Sequence, residues 1–340
     1  IDVDGAVSIG AYSPDFRTPV TIKGHGPDAS TLNSTSTSPK MNTARTYPAE
    51  RFVFQDLKVS GYNDTQFGLY GLDICGIVTN CVFTNMGNPN GALSASVRLR
   101  AGSRMYGSIV RDGRAKWTSN STAGLAIYGG DVIVDRCVIS NIAHSAGNTA
   151  FGALAVMGNY TPAPIVRNCL VTGCRVSTAS DSSSPTNPKT QAFDLKGAAV
   201  VENCTIVGNE SKSPCAGVYV EESGCTIRNC IAWGNWSKGA VTNNVLVADG
   251  QTCTFARNCS PDLASVEGGN FSADPQFNYG AKPKLAWYSL QSNSRCCNAG
   301  VNTEWMEGSV DLAGNPRRCG RVDLGCYENQ TSTGLAIFIR

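Results

Sequence analysis

Apolar and polar residues alternate with period two along most of this chain, and the alternation comes in a repeated phrase. Ile77-Val-Thr-Asn-Cys81-Val-Phe-Thr-Asn85 returns as Ile133-Val-Asp-Arg-Cys137, Ile165-Val-Arg-Asn-Cys169, Val200-Val-Glu-Asn-Cys204 and Thr226-Ile-Arg-Asn-Cys230. Degenerate copies are centred on Ser108 and Cys259. The anchors 81, 108, 137, 169, 204, 230 and 259 are separated by 27, 29, 32, 35, 26 and 29 residues. Within each copy Val134, Cys137 and Ile139 oppose Asp135 and Ser140, the signature of short strands with a turn inserted. A strand-rich unit of about 20 to 35 residues predicts a solenoid of stacked coils, roughly nine to ten of them. Asn85, Asn141, Asn209 and Asn235 recur where each coil must bend, since Asn tolerates left-handed backbone angles and can hydrogen-bond from coil to coil.

A second alternating segment precedes each anchor. Its inward positions read Leu69, Val97 and Leu99, Leu125 and Ile127, Leu154 and Val156, Phe193 and Leu195, Val218 and Val220, Val245 and Val247. Its outward positions form two columns: Tyr70, Arg98, Ala126, Ala155, Asp194, Tyr219 and Leu246, and beside them Leu72, Arg100, Tyr128, Met157, Lys196, Glu221 and Ala248. Tyr rings stack on sugars, and Arg or Lys clamps carboxylates, so Tyr70, Arg98, Arg100, Tyr128, Met157, Asp194, Lys196, Tyr219 and Glu221 form a candidate polysaccharide groove. Ordinary cross-strand pairing on a solvated sheet face is the competing reading. The polar runs 117–122 and 177–190 are insertions of the kind that border such faces.

The phrase I-x-N-C-x-I-x-x-N resembles the coils of right-handed parallel β-helix proteins of the pectate-lyase-like superfold. The tail carries Asp274-Pro-Gln-Phe277, Tyr288 to Gly300, Asp311-Leu-Ala-Gly-Asn-Pro-Arg317 and Gly320-Arg-Val-Asp-Leu-Gly-Cys-Tyr-Glu328. It resembles the C-terminal region of bacterial secreted β-helix proteins of the choice-of-anchor Q type, with Cys326 in place of the usual Ala. The resemblance implies an all-β, right-handed parallel β-helix (a single-stranded solenoid) in an extracellular or cell-surface protein. It also implies that Asp311, Arg317, Asp323 and Glu328 are structural, a buried Arg–carboxylate set fixing the last coil. Irregular N-terminal coils over 1–50, coils over 51–273 and a closing region over 274–340 are the expected divisions, with a last apolar strand at Leu335–Arg340.

Composition narrows the function. Charged residues are 16% of the chain and the net charge is +2, with no basic block, which removes the usual support for nucleic-acid binding. No apolar run is long enough to span a bilayer. His25 and His144 are the only histidines, His25 reads as a turn residue, and no C-x-x-C pair occurs, so neither metal nor other cofactor is expected. Fifteen cysteines are present. Cys81, Cys137, Cys169, Cys204, Cys230 and Cys259 share the anchor position and are expected to stack inward as small apolar residues. Cys319–Cys326 and Cys215–Cys225 are the better disulfide candidates.

For catalysis, Lys196 is a candidate base, Arg100 a carboxylate clamp, and Asp194 with Glu221 a candidate carboxylate pair, as a polysaccharide lyase or hydrolase would need. No Asp–Asp cluster accompanies them, and the sequence leans towards surface interaction. Two such readings stand: a glycan-binding or adhesive module, and a fibre subunit that self-associates head to tail through open solenoid ends.

Overall fold

The computed structural model describes residues 20–34, 52–61, 72–86, 97–115, 124–145, 152–177, 192–211, 214–237 and 243–331, together with short strands at 2–3, 7–9 and 41–43. All the paired strands are parallel, and they stack into three nine-stranded sheets and a short five-stranded fourth. Sheet 1 runs from Val20–Lys23 to Cys253–Ala256, sheet 2 from Asp2–Val3 to Ile231–Trp233, and sheet 3 from Val7–Ile9 to Asn243–Val247. Each coil visits sheet 1, sheet 2, the fourth sheet where present, and then sheet 3. Strands within residues 2–43 continue the same sheets, so no break in sheet order falls at residue 50.

The repeated Asn-Cys dipeptide is the corner between sheets 1 and 2. Asn80, Asn168, Asn203 and Asn229 have φ between 48 and 55°, the left-handed region that Asn enters at low cost. Arg136 and Arg257 hold the same conformation at the same corner. The next residue points inward, and Cys81, Cys137, Cys169, Cys204 and Cys230 line one column of the main core. Burial pushes the Cys137 and Cys204 thiols up and Cys81 up to about 11, which keeps them protonated.

Cys259 departs from the expectation. It pairs with Ile231 on sheet 2, one residue out of the column, and Asn258 takes the inward place, accepting from Cys230 N at 2.9 Å and donating to Ile227 O at 2.9 Å. The last phrase aligns Arg257, not Asn258, with Asn229, and a one-residue slip turns a strand residue to the opposite face. None of the fifteen cysteines is in a disulfide. Cys215 lies in sheet 3 and Cys225 in sheet 1, while Cys326 is buried against the solenoid and Cys319 half-exposed.

The corner after sheet 2 divides the expected Asn column in two. Asn85 and Asn141 are left-handed, with φ of 52 and 51°. Asn209 and Asn235 instead follow glycines and point inward, each 1% exposed. Asn209 Oδ1 accepts from Cys174 N at 3.0 Å, its Nδ2 donates to Val171 O at 3.0 Å, and Asn235 repeats the pattern with Asn209 N and Ile206 O.

Residues 257–271 close the C-terminal end. Arg257 N donates to Gly268 O, Phe271 N to Asn258 O and Ser260 N to Phe271 O, so the segment lies back along the last coil. Asp262 Oδ2 accepts from Asn244 N at 2.7 Å and Val245 N at 3.1 Å, satisfying amides on the edge of sheet 3. These contacts cover edge amides of the last coil at this end of the solenoid. Leu335–Arg340 lies outside the described residues.

Beyond the cap, the chain returns along the outside of sheet 2. Val138, Leu170, Val207 and Ile231 occupy outward positions yet form a second buried cluster with Phe277, Leu290, Leu324 and Tyr327 of the tail. The corner asparagines hold the tail: Asn203 Nδ2 donates to Asp323 O at 3.0 Å, Asn229 Nδ2 to Val301 O at 2.9 Å, and Asn168 Nδ2 to Val310 O at 3.4 Å. Gly325, at φ 82°, comes so close that a Cβ there would lie 2.5 Å from Thr205 Oγ1.

Asp311, Arg317, Asp323 and Glu328 sit over these middle coils rather than on the last one. Arg317, fully buried, donates to Glu328 Oε2 at 3.0 Å and to the carbonyls of Gly325 at 3.1 Å and Asp323 at 3.0 Å. Asp311 and Asp323 accept backbone amides, including Glu328 N at 2.9 Å and Asn298 N at 2.6 Å. Burial, opposed by Arg317, lifts the Glu328 carboxyl from 4.5 to about 7, and burial raises Asp323 as well. Between pH 4.5 and 7 the folded chain keeps a proton on Glu328 that the unfolded chain has released. Stability therefore falls as pH rises through that window, by roughly 3 kcal/mol in all at about 1.4 kcal/mol per unit. Urea midpoints are expected to be higher at pH 5 than at pH 8, with Glu328→Gln flattening the slope; a wild-type profile flat across this range would refute the assignment.

Candidate ligand-binding face

The candidate groove residues that lie among the described residues sit on strands of sheet 3 or, for Met157, Lys196 and Glu221, one residue beyond them. The register of sheet 3 places Asp73, Arg98, Ala126, Ala155, Asp194, Tyr219 and Leu246 in one outward column. Tyr70 lies outside the described residues. Leu72 is not outward: it pairs with Val97 and is 1% exposed in the core. The strand is Leu72–Ile74, and Asp73 takes the place assigned to Tyr70. The alternation Leu72-Asp73-Ile74, matching Val97-Arg98-Leu99, was the signal for that register.

From Asp73 to Tyr219 this first column is buried, and Leu246 at its end is half-buried. Asp194 is 0% exposed, Arg98 3% and Tyr219 5%, and Ala126 and Ala155 are fully covered. Longer side chains from the second column fold over it. Arg100 grips Asp73 through both carboxylate oxygens, Nε–Oδ1 at 2.5 Å and Nη2–Oδ2 at 2.6 Å. Arg98 lies 4.0 Å from the ring centre of Tyr128, and Arg100 5.5 Å from it. Tyr160 adds a half-buried phenol to this group, its pKa raised by burial and by Tyr128. Burial first, then Glu221 and Asp194, push the Tyr219 phenol up to about 12. Arg98, Asp194 and Tyr219 therefore belong to a packed layer and are not contact residues of an open groove.

The second column keeps partial exposure. Arg100 faces Tyr128, and the register carries the row on through Met157, Lys196, Glu221 and Ala248, each half-buried. Coils are about 4.8 Å apart, so Arg100 to Glu221 spans roughly 19 Å.

The catalytic candidates are not assembled. Arg100 and Lys196 stand three coils apart, about 14 Å, too far for a clamp and a base to meet on one sugar ring. Glu221 N donates to Leu195 O, next to Lys196, while Asp194 stands opposite Tyr219 and is sealed from solvent, so Asp194 and Glu221 do not form an accessible carboxylate pair. His25 is an exposed turn residue whose backbone amide donates to Ser30 Oγ at 2.8 Å. Among the described residues, no three His, Cys, Asp or Glu side chains are placed to hold a metal ion, and no helix is long and apolar enough to cross a membrane.

Residues 47–260 match the right handed beta helix region family. The chain belongs to that family. Compared with curated protein sequences, this β-helix protein has no match. Among solved structures it is similar to pectate lyase Pel9A, at 14% identity and a TM-score of 0.41, over 95% of this chain and 86% of the lyase. It is also similar to ORF18 of Geobacillus virus E2, at 14% identity and a TM-score of 0.41. That match covers 75% of this chain, which spans about half, 52%, of the viral protein.

Proposed function

We propose that this β-helix protein is an extracellular glycan-binding module, and that an extended polysaccharide lies along the half-exposed row of sheet 3. The observation that carries this reading is the row itself: on sheet 3, Arg100, Tyr128, Met157, Lys196 and Glu221 follow one another at one side chain per coil and keep contact with solvent. Their chemistry suits sugars. Tyr128 offers a ring already held in place by Arg98, Met157 an adaptable apolar surface, and Arg100 and Lys196 donors for hydroxyl or carboxylate oxygens. An extracellular location belongs to the same reading, because an extended polysaccharide is met at or beyond the cell surface. The fibre reading has less support, since residues 257–271 cover the C-terminal end.

Affinity electrophoresis through gels containing neutral and acidic polysaccharides tests the proposal, with reducing-end and unsaturated-product assays alongside. The wild-type chain is expected to be retarded by at least one polymer. Tyr128→Ala is expected to weaken that retention about tenfold, from the loss of a stacking ring worth roughly 1 kcal/mol or more. Retention by no polymer, or retention unchanged in Tyr128→Ala and Lys196→Ala, would remove this face from the assignment.

A further inference from the structure

We propose that the row on sheet 3 takes a neutral polysaccharide and turns away polyuronates, an inference that rests on the reading of that row as a glycan contact. The charge balance of the face carries it. Among the described residues, the cations of the two outward columns are Arg98, Arg100 and Lys196. The carboxylates are Asp73, Asp194 and Glu221, joined by Glu222 and Asp249 just after the last two strands of the sheet. Glu222 is fixed there by Asn159 Nδ2 at 2.7 Å. Carboxylates therefore outnumber cations on this face, and the nearby Asp131 is matched by Arg104 at 2.9 Å.

Each cation already has negative charge beside it. Arg100 holds both oxygens of Asp73, at 2.5 and 2.6 Å. A guanidinium so paired can still donate to a sugar hydroxyl, but a second carboxylate brought to it is repelled by Asp73. Arg98 is buried with its guanidinium 4.0 Å from the ring centre of Tyr128, out of reach of a uronate in solution. Lys196 follows Leu195, and Glu221 follows Val220, the register partner of Leu195. The ammonium and the Glu221 carboxylate thus start from neighbouring coils about 4.8 Å apart, with Asp194 two residues before Lys196 on the same outward face.

The Glu221 end of the row is the more acidic. Burial pushes the Tyr219 phenol up first, and the negative charge of Glu221 and Asp194, with Asp249 adding to it, acts in the same direction. A polyuronate carries a carboxylate on every ring, so a chain laid along the row meets this field whichever way it runs. Like charges brought together in this way reject a partner without any contact being lost for the right one. A neutral polymer meets no such barrier. Its sugar faces stack on Tyr128 and pack on Met157, and its hydroxyls accept from Arg100 and Lys196 and donate to Glu221.

The test immobilises the full chain and measures binding of polymers paired by backbone: hydroxyethyl against carboxymethyl cellulose, and methyl-esterified against de-esterified galacturonan. At least one neutral member is expected to bind, with its acidic counterpart at least about tenfold weaker. Neutral binding should change less than about twofold between roughly 0.05 and 0.5 M salt, because no attractive ion contact is there to be screened. Asp249→Lys, at an exposed turn, is expected to narrow the gap between the two members at least about threefold. Equal or stronger binding of the acidic member, lost in Tyr128→Ala, would overturn the neutral preference and leave the row as a glycan contact. So would a gap untouched by Asp249→Lys, since charge would then not be its cause. Binding of no polymer, or binding unchanged in Tyr128→Ala, would remove both the preference and the row.

Discussion

Arg317→Ala is expected to lower the unfolding free energy by about 3–5 kcal/mol at pH 8, because it leaves the Glu328 carboxylate buried without its cation. Three interactions go together: the ion pair at 3.0 Å and the donations to Gly325 O and Asp323 O. These carbonyls belong to the segment that lies against Thr205 and Asn229, so the tail should loosen before the solenoid does. Lifting the tail uncovers Val138, Leu170 and Ile231, an apolar strip on an otherwise paired sheet. Urea unfolding should then resolve an early transition, with binding of a hydrophobic dye and rapid proteolysis within 274–331. The loss should shrink at pH 5, where a protonated Glu328 no longer needs the guanidinium. A single transition of wild-type midpoint at pH 8 would show that the tail does not depend on this ion pair.

Asn209→Ala is expected to cost about 3–5 kcal/mol, although it removes only a small amide. Cys174 N–H and Val171 C=O each lose a buried partner, at about 1–3 kcal/mol per unsatisfied group, and Asn235 loses a neighbour in the ladder. Asn85→Gly is the matched control. Asn85 lies at the exposed left-handed place of an earlier coil, where glycine is equally at home, and a change of only a few tenths of a kcal/mol is expected. Thermal unfolding of the two variants checks the contrast. Equal, small losses would mean that Asn209 serves only as a turn residue.

The same pair of asparagines shows where sequence reading reaches its limit. The repeat announced an Asn at the bend in both coils, but not that one Asn shapes the backbone while the other replaces a core side chain. The outcome depends on whether a glycine precedes the Asn, as Gly208 does Asn209, and takes the left-handed angle instead. Cys259 is a sharper instance. Matched by its Asn-Cys dipeptide it belongs in the column, yet counted onward from the strand Cys253–Ala256 it falls one residue later and faces the tail.

The candidate face was legible as a pattern and misjudged in depth. Alternation located the strands of sheet 3, and the columns from Arg98 onward are in the register read from the sequence. What alternation does not report is cover. Tyr128 lies over Arg98 and Arg100 reaches back to Asp73, so half of the supposed groove is interior. The position of Asp73 itself was missed because Leu69-Tyr70 alternates as well as Leu72-Asp73 does. Outward apolar residues at Val138, Leu170 and Ile231 were visible in the repeat, and their run along one face was the available sign that something covers sheet 2.

By itself the sequence determined the parallel solenoid, the coil length, the corner chemistry and most inward residues. These follow from local rules that every coil obeys in turn: period-two burial, left-handed Asn at corners and a small side chain after it. Only the tertiary structure decided that the tail lies along sheet 2 instead of on the last coil, that residues 257–271 close the end, and that one row of sheet 3 stays open. The first depends on contacts between residues more than a hundred positions apart, such as Asn203 with Asp323 and Thr205 with Cys326, and the other two on side chains and segments that fold over a neighbouring coil, such as Asp262 on Asn244 and Arg100 on Asp73, which no local period encodes.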